Sequence, residues 1–146
     1  MLHIREATGA DLPDILRIYA AAGLDSGPAY SVEEAKTQFA VFRRYPNYRL
    51  FLASADGVPA ATYSLLIQDK LAKRGQPSGI VEDVAVDPRF QRRGIGKSMM
   101  EHAREECRKA GCYKLTLSSN LKREDAHRFY EQLGFERHGY SFLIRP

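Results

Sequence analysis

Little in the chain ties it to a membrane, a metal or an oxidising compartment. Only two of its 146 residues are cysteine. Cys107 and Cys112 stand five apart across an expected helix end. Two thiols alone make no zinc site, and in a reducing compartment they make no disulfide. Both are expected as small buried hydrophobes. No grouping of His, Cys, Asp and Glu has zinc spacing, so no metal is expected. No apolar run approaches the roughly 20 residues needed to span a bilayer. Residues 1–18 alternate charge and hydrophobe and lack the apolar centre of a signal peptide, so a cytoplasmic location is expected. There is no low-complexity tract and no long linker, and one domain over residues 1–146 is expected.

What is present is an ordinary globular composition, 44% apolar and 27% charged, enough for a core without staples. The net charge of +4 raises nucleic acid as a partner. The positive residues are not gathered into one basic helix or arm, which argues against it. A site for a polyanionic cofactor accounts for the charge as well.

The pattern of apolar residues orders the chain as β-α-α-β-β-β-α-β-α-β. Residues 2–5 alternate as a short strand. Asp11 is a candidate N-cap for a helix with Leu12, Ile15, Leu16, Ile18 and Tyr19 on one face and Pro13 in its first turn. Residues 23–30 read as a loop. Ser31 and Glu34 then make a capping box ahead of Val32, Ala35 and Phe39 at helical spacing. Two strands over residues 49–55 and 58–68 flank Asp56-Gly57, a hairpin signal. A strand over residues 79–86 closes at Asp87-Pro88. The clearest helix runs over residues 95–110, with Gly111 at the place of a left-handed C-cap. A strand over 113–118, a helix over 124–133 and a last strand over 140–144 complete an α/β (α+β) chain. A central mixed sheet with helices on both faces is expected.

One segment carries chemistry. Val84-Ala85-Val86-Asp87-Pro88-Arg89-Phe90-Gln91-Arg92-Arg93-Gly94-Ile95-Gly96-Lys97 takes a strand through a short loop into a helix. The first N–H groups of that helix have no intrahelical partner, and the helix dipole favours an anion there. Gly94 and Gly96 let a phosphate approach the backbone, and Arg92, Arg93 and Lys97 add charge beside it. The spacing is neither the dinucleotide fingerprint nor a Walker loop. A glycine-assisted helix start would look the same in isolation.

Gln-x-x-Gly-x-Gly directly after a strand resembles the acetyl-CoA pyrophosphate signature of the GNAT superfamily. Leu117-Ser118-Ser119-Asn120, with Ala126-His127-Arg128-Phe129-Tyr130 and Leu133-Gly134-Phe135, resembles the C-terminal motif of the same superfamily. On these motifs the chain is identified as a member. The resemblance implies a mostly antiparallel twisted sheet, splayed to admit acyl-CoA as cosubstrate, and transfer of an acetyl group to a primary amine without a covalent acyl-enzyme. Residues 79–84 and 111–115 are similar to glucosamine-6-phosphate N-acetyltransferases. Residues 117–123 and 125–130, with the hairpin over 46–57, are more like aminoalkylphosphonate N-acetyltransferases. The acceptor this implies is a small amine, with a protein N-terminus or lysine as the alternative. A non-catalytic acyl-CoA sensor is the alternative from another class. A membrane or nucleic-acid partner is not implied; a homodimer through C-terminal strands is.

Acyl transfer needs a neutral amine, a polarised thioester carbonyl, alignment, and a proton for the leaving thiolate. The resemblance gives the proton to Tyr130, a phenol near pKa 10 facing a thiolate near pKa 8.5. A plain apolar-face aromatic is the other reading of Tyr130. For the base, alternation sends Glu82 and Asp83 to opposite faces, so at most one meets the substrate; Glu82 is preferred, directly or through water, and pairing with a cationic substrate is its other reading. Some relatives place an acidic base at the position of Ile80, which cannot titrate. Val84, Ala85 and Val86 would act through backbone at a family bulge, binding the thioester oxygen and pantetheine arm. Gln91, Arg92, Arg93, Gly94, Ile95, Gly96 and Lys97 would hold the pyrophosphate, Asn120 the pantetheine arm and Arg123 a phosphate. Asn120 and Arg123 could equally be capping or surface residues. Arg43, Arg44, Arg49, Lys70, Lys73 and Arg74 fall on the acceptor side and would suit an anionic amine; a solvated basic surface is the other reading. His127 and His138 are expected to pack or face solvent.

Overall fold

A computed structural model describes residues 1–25 and 30–146. The expected loop over residues 23–30 therefore lies partly outside the described residues. The chain forms two compact units, Met1–Thr116 and Leu117–Pro146.

The first unit holds a five-stranded sheet in the order β1-β2-β3-β4-β5. Its strands are β1 (Leu2–Glu6), β2 (Tyr48–Ala55), β3 (Val58–Gln68), β4 (Ser78–Val86) and β5 (Leu115–Thr116). The first four pair antiparallel and β5 joins β4 parallel, so the sheet is mixed as expected. Asp56 and Gly57 both take positive φ, +49° and +82°, the geometry of the tight hairpin their identities announce.

Alternation along β2 and β3 divides the core. Leu50 and Leu52 face α1 (Leu12–Ala21) and α2 (Val32–Phe42), clustering with Ile15, Ile18 and Ala85. Phe51 and Tyr63 face the other way and stack at 5.2 Å, against His102 of α3 (Ile95–Lys109). The Tyr63 hydroxyl and His102 Nδ1 are hydrogen-bonded at 2.7 Å, which satisfies a phenol buried completely. The helix α3 buries Ile95, Met99, Met100, Ala103 and Cys107, whereas Ala110, expected on the same face, is exposed at the helix end.

Capping departs from expectation at one end and keeps to it at another. Ser31 Oγ accepts from the Glu34 N–H at 3.1 Å and starts α2. Asp11 is the N-cap residue of α1, as expected, but its side chain makes no capping bond to that helix. Its carboxylate accepts from Arg5 at 2.7 and 2.8 Å and from the Thr8 N–H at 2.8 Å. Arg5 holds the Asp11 carboxyl down at about 2. A fixed bidentate partner on β1 outcompetes the helix end for this carboxylate.

The second unit contains α4 (Glu124–Gln132), ended by Gly134 at φ +95°. Two strand expectations are corrected. The one over residues 113–118 shortens to Leu115–Thr116. The one over 140–144 does not form; those residues are irregular, with Leu143 76% and Phe142 92% exposed. Alternating aromatics supply strand propensity, but a strand also needs a hydrogen-bonding edge to pair with, and among the described residues this segment has none.

Candidate functional site

The site is built from the C-terminal half of β4 and the turn after it. Thr62 of β3 faces Ala85, yet Ser64 faces Glu82, so Tyr63 alone lies opposite two residues of β4, Asp83 and Val84. This is a β-bulge, and its extra residue escapes the ladder. Asp83 takes φ +52° there, a left-handed conformation that aspartate tolerates better than most residues. On the other side β5 pairs with β4 only at Gly79 and Ile80. Val84, Ala85 and Val86 therefore lie on a bulged stretch past the β5 pairing.

The bulge also corrects the expectation for the two carboxylates. Glu82 and Asp83 do not simply alternate. Burial pushes both carboxyls up, and the Asp83 charge pushes Glu82 up further. The phenol of Tyr48 feels both carboxylates after its own burial, and that of Tyr19 feels Asp83. An inserted residue rotates the residues beyond it, so strict period-two reasoning fails at this point.

Asp87 closes β4 as a buried anchor. Arg17 of α1 donates to it at 2.7 Å, and Arg89 donates through its N–H at 2.9 Å and its guanidinium at 2.8 Å. These donors hold the Asp87 carboxyl far below the usual carboxylate range. Sequence alone marks Asp87 only as a strand stop; its partner lies 70 residues away, which no local pattern reveals.

The turn then runs through Arg92 at φ +63° and Gly94 at φ +77°, and Gly94 is the N-cap of α3. Gly94 has no side chain to cap the helix, so the N–H groups of Ile95, Gly96 and Lys97 face outward without a side-chain partner. A Cβ at Gly94 would meet no atom within 4 Å, so the space above it is open. Gln91, Arg92, Arg93 and Lys97 are all exposed around it, and Arg93 lies 5.2 Å over the Phe90 ring.

In the second unit, Tyr130 is half-buried between Phe129 and Phe135, at ring-centroid distances of 5.3 and 5.8 Å. Burial raises its phenol pKa, against the opposing charge of Arg123. Asn120 is exposed and shapes its own loop. Its side-chain oxygen accepts from the Lys122 N–H at 2.9 Å, and its carbonyl is within 2.8 Å of His127 Nε2. Ser119 Oγ is buried with no hydrogen-bond partner among the described residues.

The six cations expected on the acceptor side do not gather. Arg49 pairs with Glu106 at 3.0 Å and lies over Phe51, on the α3 face. Lys70 donates to the Tyr113 hydroxyl at 3.0 Å. Arg43 lies 5.6 Å over Phe39, Arg44 is exposed, and Lys73 and Arg74 form an exposed turn. A hollow of about 390 Å³ beside Arg49, Asp69, Glu106 and Lys109 has its charges largely paired. A smaller hollow of about 150 Å³ lies on the α1/α2 face and reaches Asp83. Helical spacing places Tyr19 and Phe39 of its lining on apolar helix faces, because spacing cannot register a void.

No group of three or more metal-ligating side chains occurs among the described residues, and no helix there is long and apolar enough to cross a membrane. Comparison with known proteins agrees with this geometry. The chain is 38% identical over 90 residues to a glucosamine 6-phosphate N-acetyltransferase of Trypanosoma brucei brucei, covering 62% of this chain and 59% of that one. It is 34% identical over 97 residues to an aminoalkylphosphonate N-acetyltransferase of Salmonella typhimurium, covering 66% and 62%. Both alignments thus span less than two thirds of the relative's length. The solved structure of a putative acetyltransferase from Agrobacterium tumefaciens superposes with a TM-score of 0.91 at 33% identity, covering 99% of each chain. The profile of the Acetyltransferase (GNAT) family matches residues 12–135. The chain belongs to the GNAT family of acetyltransferases.

Proposed function

We propose that this chain moves an acetyl group from acetyl-CoA to the primary amine of a small molecule by direct attack. The observation that carries the reading is the bulged end of β4 running into the left-handed Gly94 turn at the start of α3. The bulge offers backbone N–H groups to a thioester oxygen, and the turn offers N–H groups, open space and three cations to a pyrophosphate. The unpartnered Ser119 hydroxyl and the Asn120 side chain suit the amides of a pantetheine arm.

Direct attack fits the cysteines. Burial pushes the Cys107 thiol up to about 12, which leaves it no nucleophile at neutral pH. Glu82 takes the proton from the incoming ammonium, directly or through water, and Tyr130 returns one to the CoA thiolate. Arg123 meets a CoA phosphate. The chain acts as one acetyltransferase domain over residues 1–146, in the cytoplasm, with no metal and no nucleic-acid or membrane partner.

The relatives' names point to amino sugar phosphates and aminoalkylphosphonates as acceptors, so these belong in the first panel with phenylalkyl amines, polyamines and peptide N-termini. Thiol release from acetyl-CoA is the readout. Release with a small amine supports the reading. Release only with peptides would transfer it to proteins, and CoA binding without release from any amine would make the chain a sensor.

A further inference from the structure

The hollow on the α1/α2 face, about 150 Å³, is walled by Tyr19, Phe39, Phe42 and Tyr48, with Ser64 and Asp83 at the sheet. Three of its rings stand in a row: Phe42 and Tyr48 lie 4.2 Å apart between centroids, and Phe39 and Phe42 5.9 Å. No lysine or arginine is among the described residues that line it. At its sheet end stands Asp83, the inserted residue of the β4 bulge, directly before Val84. Aromatic walls ending in a carboxylate, next to the backbone offered to the thioester, define an acceptor's chemistry.

We propose that this hollow is the acceptor subsite and that it takes a primary arylalkylamine, with one aromatic ring among its aromatic side chains and the ammonium on Asp83. The assignment rests on the acetyl-transfer reading above. An apolar space of about 150 Å³ holds one benzene-sized ring. Ring faces carry negative charge density, so they favour a cation and repel a phosphate dianion. Asp83 adds a negative charge at the wall that these rings share. A phosphate in this hollow would be desolvated against an aromatic and anionic lining without a cation to pair it. The relatives are named for phosphorylated or phosphonylated acceptors, whereas this chain's lining selects against that group.

The test compares phenethylamine, glucosamine 6-phosphate and 2-aminoethylphosphonate as acceptors, read by thiol release. The expected kcat/KM is about tenfold or more higher for phenethylamine, a charge-assisted contact being of that order. Asp83→Asn keeps a residue that tolerates positive φ, so the bulge survives. This variant and Phe42→Ala should each raise the phenethylamine KM about tenfold, with acetyl-CoA affinity unchanged. Higher kcat/KM with either phosphorylated amine, or a KM unmoved in both variants, overturns the subsite while acetyl transfer stands. If no amine releases thiol, acetyl transfer itself fails. Calorimetry with phenethylamine and CoA then decides the subsite alone: binding weakened by Asp83→Asn supports it, and no binding overturns it.

Discussion

Tyr130 sits between two aromatic rings, and burial raises its phenol pKa further above neutral pH, where the proton is held in any case. A protonated phenol can donate to a departing thiolate, whereas a phenylalanine of the same shape cannot. Tyr130→Phe should lower kcat about tenfold or more, the low end of acid–base catalysis, and leave CoA affinity near normal. Stopped-flow turnover with equilibrium CoA binding separates the two, and an unchanged kcat would remove Tyr130 from the mechanism. Glu82 makes a second prediction. Its pKa is raised by burial and by Asp83, so it stays protonated to a higher pH than an ordinary carboxyl. The base form is present above that pKa and lost as pH falls through it, so kcat/KM should fall on the acidic side. Glu82→Gln should abolish this limb; a variant profile that retained it would move the base elsewhere. Both residues are nominated by the sequence, and these two experiments test them. What alternation could not give was the relation of Glu82 to Asp83, because the inserted residue breaks the period on which the expectation stood. Asp11 stands at its expected N-cap position, but helix-start spacing does not show that Arg5 claims its carboxylate.

At the scale of elements, the sequence displayed what local chemistry determines and missed what depends on distant partners. Asp56-Gly57 marked its hairpin, Ser31 its helix start and Gly111 its helix end, each through conformational demands met within a few residues. The lengths of β5 and of the tail depend on which edge is available, and that is decided by pairing. The contact of α3 with β4 shows the same dependence. A Cβ on Gly79 would collide with Cys107 Sγ and lie 3.1 Å from a Leu115 methyl, so this glycine is small for packing and its φ is not positive. Gly79→Ala should destabilise the protein by about 1–3 kcal/mol, the usual cost of overpacking. Chemical denaturation would measure it. Cys107→Ala in the same background should recover part of the loss, because it removes the atom in the way. Additive losses in the double variant would mean that the steric reading is wrong.

For the whole molecule the open matter is what meets the C-terminal tail. Tyr140, Phe142, Leu143 and Ile144 are all largely exposed, a cluster of large apolar side chains that a lone chain gains nothing by showing to water. Their alternating pattern predicts a strand, and the same residues lack a strand partner among the described residues. Both facts are met if the partner edge belongs to a second copy, since main-chain pairing and apolar burial would then be satisfied together. We propose a homodimer that uses this tail. Sedimentation equilibrium at micromolar concentration should return about twice the 16.5 kDa chain mass. Phe142→Asp puts a charge into the proposed contact and should shift the equilibrium to monomer. A monomeric parent chain, or a Phe142→Asp variant that stays dimeric, would reject the tail as the interface.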